Sequence, residues 1–158
     1  MGWDEFYRRR DALDTAVDAA LERDELVVPD LFDGPDELLL ALHHRWALRL
    51  ASRVELATLD AGADPVDAVG AAWRETAAAD PALRRVLDEH ADRPALRAAA
   101  LAERRMLATA TGLADPSDGP DEQAAVGAAF LALVRSGPQR TVRRNPVERL
   151  LRRLVPTA

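Results

Sequence analysis

The chain has 158 residues, 27 of them acidic and 21 basic for a net charge of −6, and no cysteine. A single domain of this length buries roughly 70% of its unfolded surface, enough for a core without staples, and the missing cysteine excludes disulfide frameworks, thiolate metal sites and cysteine nucleophiles. No apolar leader opens the chain, and its longest uncharged stretch, Gln123 to Val134, is 12 residues, short of the ~20 of a membrane-spanning helix, so a cytoplasmic location is expected.

Every basic residue is Arg, Ile is absent and Asn145 is the only Asn. Those losses fall on AT-rich codons, so a GC-rich bacterial genome explains the Arg content more simply than a functional need for guanidinium.

Six times a Pro follows a loop-ending residue: Gly34-Pro35, Asp64-Pro65, Asp80-Pro81, Arg93-Pro94, Gly119-Pro120 and Asn145-Pro146. Pro suits the first helical turn, where the N–H it lacks would have no partner, and Gly, Asp and Asn are good N-caps. Each is followed by Ala- and Leu-rich sequence spaced near 3.6, which predicts six helices with a seventh before them. The fold class is therefore all-α, a single-domain bundle of six to seven helices, with an acidic bundle over residues 1–136 and a basic connector and short amphipathic helix over 137–158.

The first helix is predicted from about Asp4 to Arg23, with Trp3, Phe6, Leu13, Val17 and Leu21 as its apolar stripe and Asp4–Arg8 and Glu5–Arg9 as i,i+4 pairs. Its linker, about Asp24 to Gly34, carries Leu26, Val27, Val28, Leu31 and Phe32 and is expected to lie on the body. The long central helix, 35–60, presents Leu39, Leu42, Trp46, Leu50 and Val54, broadened by Leu40, Ala47, Leu48, Ala51 and Leu59, and Gly62 reads as its stop. A third helix from Pro65 shows Val66, Val69, Trp73 and Ala77, and a short fourth from Pro81 shows Leu83, Val86 and Leu87. The fifth, Pro94 to Thr111, turns Leu96, Ala99, Ala100, Met106, Leu107 and Ala110 inward and stops at Gly112. The sixth, Pro120 to Ser136, offers Val126, Phe130, Leu133 and Val134, and in the last Val147, Leu150, Leu151 and Leu154 fall at i, i+3, i+4 and i+7.

Two short echoes recur: Asp33-Gly34-Pro35-Asp36-Glu37 at Asp118 to Glu122, and Val69-Gly70-Ala71-Ala72-Trp73 at Val126 to Phe130. Their spacings differ, which argues against duplication. Gly70 and Gly127 nonetheless mark small-residue faces where helices can approach closely, because a helical Gly costs ~1 kcal/mol and needs a packing reason.

Chemistry is sparse. His43 and His44 are adjacent on a helix and diverge by about 100°, so they cannot share one ion, and no histidine, His90 included, is preceded three residues earlier by Glu. No metal and no cofactor are expected. Asp88-Glu89-His90-Ala91-Asp92 is the densest polar cluster, most simply a solvated turn. Ser52, Ser117 and Ser136 sit in no nucleophile motif, and there is no phosphate-binding Gly loop. Arg45, Arg49 and Arg53 form a stripe able to hold an anion in a groove.

Residues 135–158 hold seven Arg and one Glu, net +6, which leaves −12 for residues 1–134 of the −6 total. The acidic body repels a phosphate backbone, so nucleic acid is a poor partner. The tail helix is expected to dock through Val147, Leu150, Leu151 and Leu154, a peripheral membrane contact through 140–155 being the other use of its pattern.

With no catalytic set assembled, the leading expectation is a non-enzymatic association module, partnering itself or another protein through Gly70, Gly127 and the tail stripe. The alternative is a small-molecule-binding bundle, loosely resembling the effector domains of helical transcription regulators, with Trp46, Trp73, Phe130 and His44 lining a pocket. No helix-turn-helix signature precedes these helices. An enzyme with an unrecognised site is the third reading.

Overall fold

A computed structural model describes residues 2–137, whose regular elements are all helices, with no strand among them. The expected tail helix and its Val147, Leu150, Leu151 and Leu154 lie outside the described residues. Six α-helices follow in order: α1 (Trp3–Arg23), α2 (Pro35–Thr58), α3 (Pro65–Ala79), α4 (Pro81–Glu89), α5 (Arg97–Ala110) and α6 (Pro120–Ser136), with a 3-10 turn, Pro94–Leu96, leading into α5. No helix among them is long and apolar enough to cross a membrane.

The starts follow the local chemistry. The Asp64 carboxylate accepts from the backbone N–H groups of Val66 and Asp67, and that of Asp80 from Leu83 N–H, each satisfying donors that a first turn leaves orphaned. At the two echoed starts Gly34 and Gly119 offer no side-chain cap, and different residues close the turn. Glu37 reaches back to accept the Asp33 N–H at 2.7 Å. At the other, Gln123 donates to the carbonyls of Asp115, Pro116 and Asp118 and ties down the polar loop. The stops are less uniform. Gly112 takes the left-handed conformation (φ +70°) after α5, and Asp24 (φ 54°) ends α1, but α2 ends at Thr58 with a right-handed Leu59 and does not use Gly62 as its cap.

The core is organised around α2, which packs along α3 and also meets α1, α4 and α5. Leu38, Leu39, Leu42, Trp46 and Leu50 are fully buried there, each Leu contributing roughly 1.5–3 kcal/mol against exposure. Trp46 and Trp73 meet edge to face with centroids 5.8 Å apart, and Val69, Leu83, Val86, Leu87, Leu107 and Phe130 complete the interior.

Several expected core positions are on the surface. Of the α1 stripe, Leu13 and Val17 are buried, while Trp3 is 77% and Phe6 54% exposed and Leu21 is also exposed. The neighbouring helices bury side chains only from Leu13 onward in α1. Leu133 is 71% exposed, its place in the α6 face taken by Ala124 and Gly127, and Leu40, Leu48 and Leu59 likewise face outward because the apolar arc of α2 is wider than its neighbours cover. The linker divides: Phe32 is buried and Leu26 and Val28 pack on the core, but Val27 and Leu31 are exposed. The local ion pairs expected in α1 are replaced by other contacts. Arg8 donates to the Asp4 carbonyl, and Arg9 reaches Glu37 across the fold.

The two helical glycines differ in what they permit. A Cβ on Gly127 would lie 1.9 Å from the Arg104 carbonyl oxygen, so α5 and α6 touch backbone to backbone there and only Gly fits. On Gly70 a Cβ would meet Val134 and Arg74 at 3.5 and 3.6 Å, ordinary contact distances. Both faces are used inside this chain.

Candidate functional site

A buried polar cluster sits where α2, α4 and α5 meet. Glu103 of α5 has only 8% of its side chain exposed, and its Oε2 accepts from Trp46 Nε1 at 3.0 Å and lies 3.4 Å from His43 Nε2. Burial pushes the Glu103 carboxyl up, but the His43 hydrogen bond, the Arg84 charge and the Trp46 N–H outweigh it and hold the group below the ordinary carboxylate range. Arg84 lies over the Trp46 ring, 4.5 Å from its centroid. The indole thus has a cation on its face and a carboxylate at its edge, an arrangement that suits both.

Beside this cluster lies a half-open cleft of about 350 Å³ between α4, α5 and α6, with His43 and Glu103 among its lining residues. Asp88 Oδ1 lies 2.9 Å from Arg84 Nη2 in an ion pair within α4 and accepts a hydrogen bond from Arg135 Nη2 at 3.0 Å, tying α4 to α6. The expected solvated turn is therefore in part a tertiary clamp. Arg135 also lies 5.1 Å from the centre of the Trp73 ring.

A second concavity, about 670 Å³, runs between α1 and α2. Phe6, Leu13, Leu40, Ala41 and Leu48 form its apolar floor, and Arg9, Arg10, Arg45 and Arg49 its rim. Each rim Arg has an acid: Arg9 with Glu37, Arg10 with Asp11, Arg45 with Asp14 and Arg49 with Asp80.

The residues singled out from sequence are dispersed. Trp46, Trp73 and Phe130 are packed core residues, whereas His44 is exposed and lines the α1–α2 groove. The Arg45, Arg49 and Arg53 stripe is split among Asp14, Asp80 and Glu75 on three different elements. His43 is buried, and His90 Nδ1 lies 2.9 Å from the Val86 carbonyl oxygen. Among the described residues no three His, Asp or Glu side chains gather as a metal site would require. Gly70 and Gly127 are buried between helices.

Glu103 escaped notice in the sequence although a signal was present. It stands at i+7 from Leu96 and i−4 from Leu107, in the stripe that runs through Ala99, Ala100, Met106 and Ala110. A lone carboxylate inside an apolar stripe needs a buried partner, and His43 occupies the matching position between Leu39 and Trp46 on α2.

No protein-family model matches the chain, no curated protein matches it, and no solved structure matches it.

Proposed function

We propose that this protein works by association, and that the α1–α2 groove is the contact face for a second copy of the chain. The observation that carries the reading is the concentration of exposed apolar surface there: Trp3, Phe6 and Tyr7 project from α1, and Leu40 and Leu48 line the groove from α2. Contiguous apolar surface with a polar rim is the composition of an interface.

A second copy fits this face for two reasons. The remainder of the body is strongly acidic, so two copies repel least where each Arg is already paired, as all four rim guanidiniums are. The face is also self-complementary. The aromatic end of α1 adjoins the groove, so a two-fold axis lets each copy place its Trp3, Phe6 and Tyr7 against the partner's apolar groove floor. Gly70 and Gly127 have no part in this contact.

Sedimentation equilibrium tests it. The expected mass is about twice the 17.2 kDa of one chain, and Leu48→Asp, at a position 57% exposed, should give a monomer with unchanged helicity. A wild-type monomer at every concentration refutes the proposal, and so does a dimer that Leu48→Asp and Phe6→Asp both leave intact.

A further inference from the structure

The α4–α5–α6 cleft is lined by more guanidiniums than carboxylates, although the body as a whole is acidic. Arg84, Arg104 and Arg135 line it against two carboxylates, Asp88 and Glu103. Glu103 is already engaged by Trp46 and His43, and Asp88 by two of the three guanidiniums. Arg84 Nε is buried without an acceptor, and Arg104 makes no ion pair among the described residues. The lining thus carries one uncompensated positive charge within an acidic body, together with guanidinium donors that have no acceptor.

Apart from His43, the remaining lining is apolar: Leu131 and the alanines Ala91, Ala100, Ala128 and Ala132 form its accessible wall, Leu87 and Leu96 being themselves buried. A bare inorganic anion would leave that wall wet, and an apolar molecule would leave the donors unmatched. At roughly 30 Å³ for each water-sized group, 350 Å³ admits about twelve non-hydrogen atoms. We propose that this cleft binds a small amphiphilic monoanion, a carboxylate on a short alkyl chain, with the carboxylate at Arg104 and the chain against Leu131 and the lining alanines of α5 and α6. Arg suits the anionic end because its planar fork meets a carboxylate with two parallel hydrogen bonds.

The site is separate from the α1–α2 groove, so its test is independent of the association proposal. Octanoate is titrated into the full chain by calorimetry, with octylamine as the opposite charge and acetate as the anion without a chain. Saturable octanoate binding is expected, with no saturation by either control. Arg104→Gln should weaken it about tenfold or more, because it removes the charge-assisted pair, without altering helicity, since that guanidinium makes no ion pair among the described residues. Ala132→Glu, which sets a carboxylate on an exposed position of the lining, should weaken it as well. Failure to saturate at millimolar octanoate overturns the proposal, as do equal binding of octylamine and an affinity that Arg104→Gln leaves unchanged. Leu48→Asp should leave octanoate binding intact, and a loss there would place the ligand in the α1–α2 groove and equally overturn it.

Discussion

The α5–α6 pair and the first half of α1 are both regular helix built from similar residues, yet one is locked and the other lies open. At Gly127 the two backbones touch, and Ala108, Ala124, Phe130 and Val134 are buried around that approach. From Trp3 to Asp11, α1 buries no side chain, although it carries three aromatic residues. Large apolar side chains at helical spacing do not by themselves make a core. The neighbour must arrive, and at α5–α6 it arrives because small residues let it.

The largest effect is expected where that approach is closest. Gly127→Ala should cost about 3 kcal/mol or more in chemical denaturation, since the new methyl meets backbone that cannot rotate away. A loss under about 0.5 kcal/mol, the range of ordinary surface changes, would show that α5 and α6 have slack and would erase the contrast.

Glu103→Ala should cost about 1–3 kcal/mol by leaving the buried Trp46 N–H without its acceptor. The pH dependence follows from the lowered carboxyl pKa. That stabilisation is complete above the ordinary Glu value of roughly 4.3 and fades as pH falls through the lower folded value. The stability gap between wild type and Glu103→Gln should therefore narrow between pH 7 and pH 3. A gap that widens on acidification would mean that the carboxyl is held in its protonated form.

Gly70→Ala should move the other way. The added methyl has ordinary contact distances, so the gain in helix propensity, at most about 1 kcal/mol, should dominate. The opposite signs at the two glycines would confirm that α6 touches α5 more closely than it touches α3.

The smallest effect belongs to the open region. Phe6→Ala should change the stability of the dilute chain by less than about 0.5 kcal/mol, because the ring is more than half exposed. Hydrogen exchange sharpens the point: amides of Trp3 to Asp11 should exchange faster than those of α6 at low concentration and gain protection as concentration rises. Equal protection of both regions in dilute solution would break the comparison.

Helix existence was legible because its determinants are local. Pro35, Pro65, Pro81 and Pro120 each stand at the first helical position, and the Asp64 and Asp80 caps act within three residues of themselves. Burial was legible in the middle of α2, where apolar residues cover so much of the circumference that any packing buries Leu39, Leu42, Trp46 and Leu50, and on the short α4, whose Leu83, Val86 and Leu87 are all buried as their spacing predicts. At α1 and at Leu133 the same periodicity misled, since it marks a face without saying whether anything covers it.

The candidate site shows the same division. Composition and spacing by themselves determined an all-α chain, its helix starts, its acidic body and the lack of a metal-binding spacing in the histidines. Only the tertiary structure decided that Trp46 and Trp73 meet in the core, that the Arg45, Arg49 and Arg53 stripe is shared among three separate acids, and that Glu103 finds Trp46 across 57 residues of chain, with His43 beside it. The physical reason is range. A cap or a proline acts through bonds within one turn, whereas a buried carboxylate is stabilised by whichever partners the packing of distant helices brings within 3 to 4 Å.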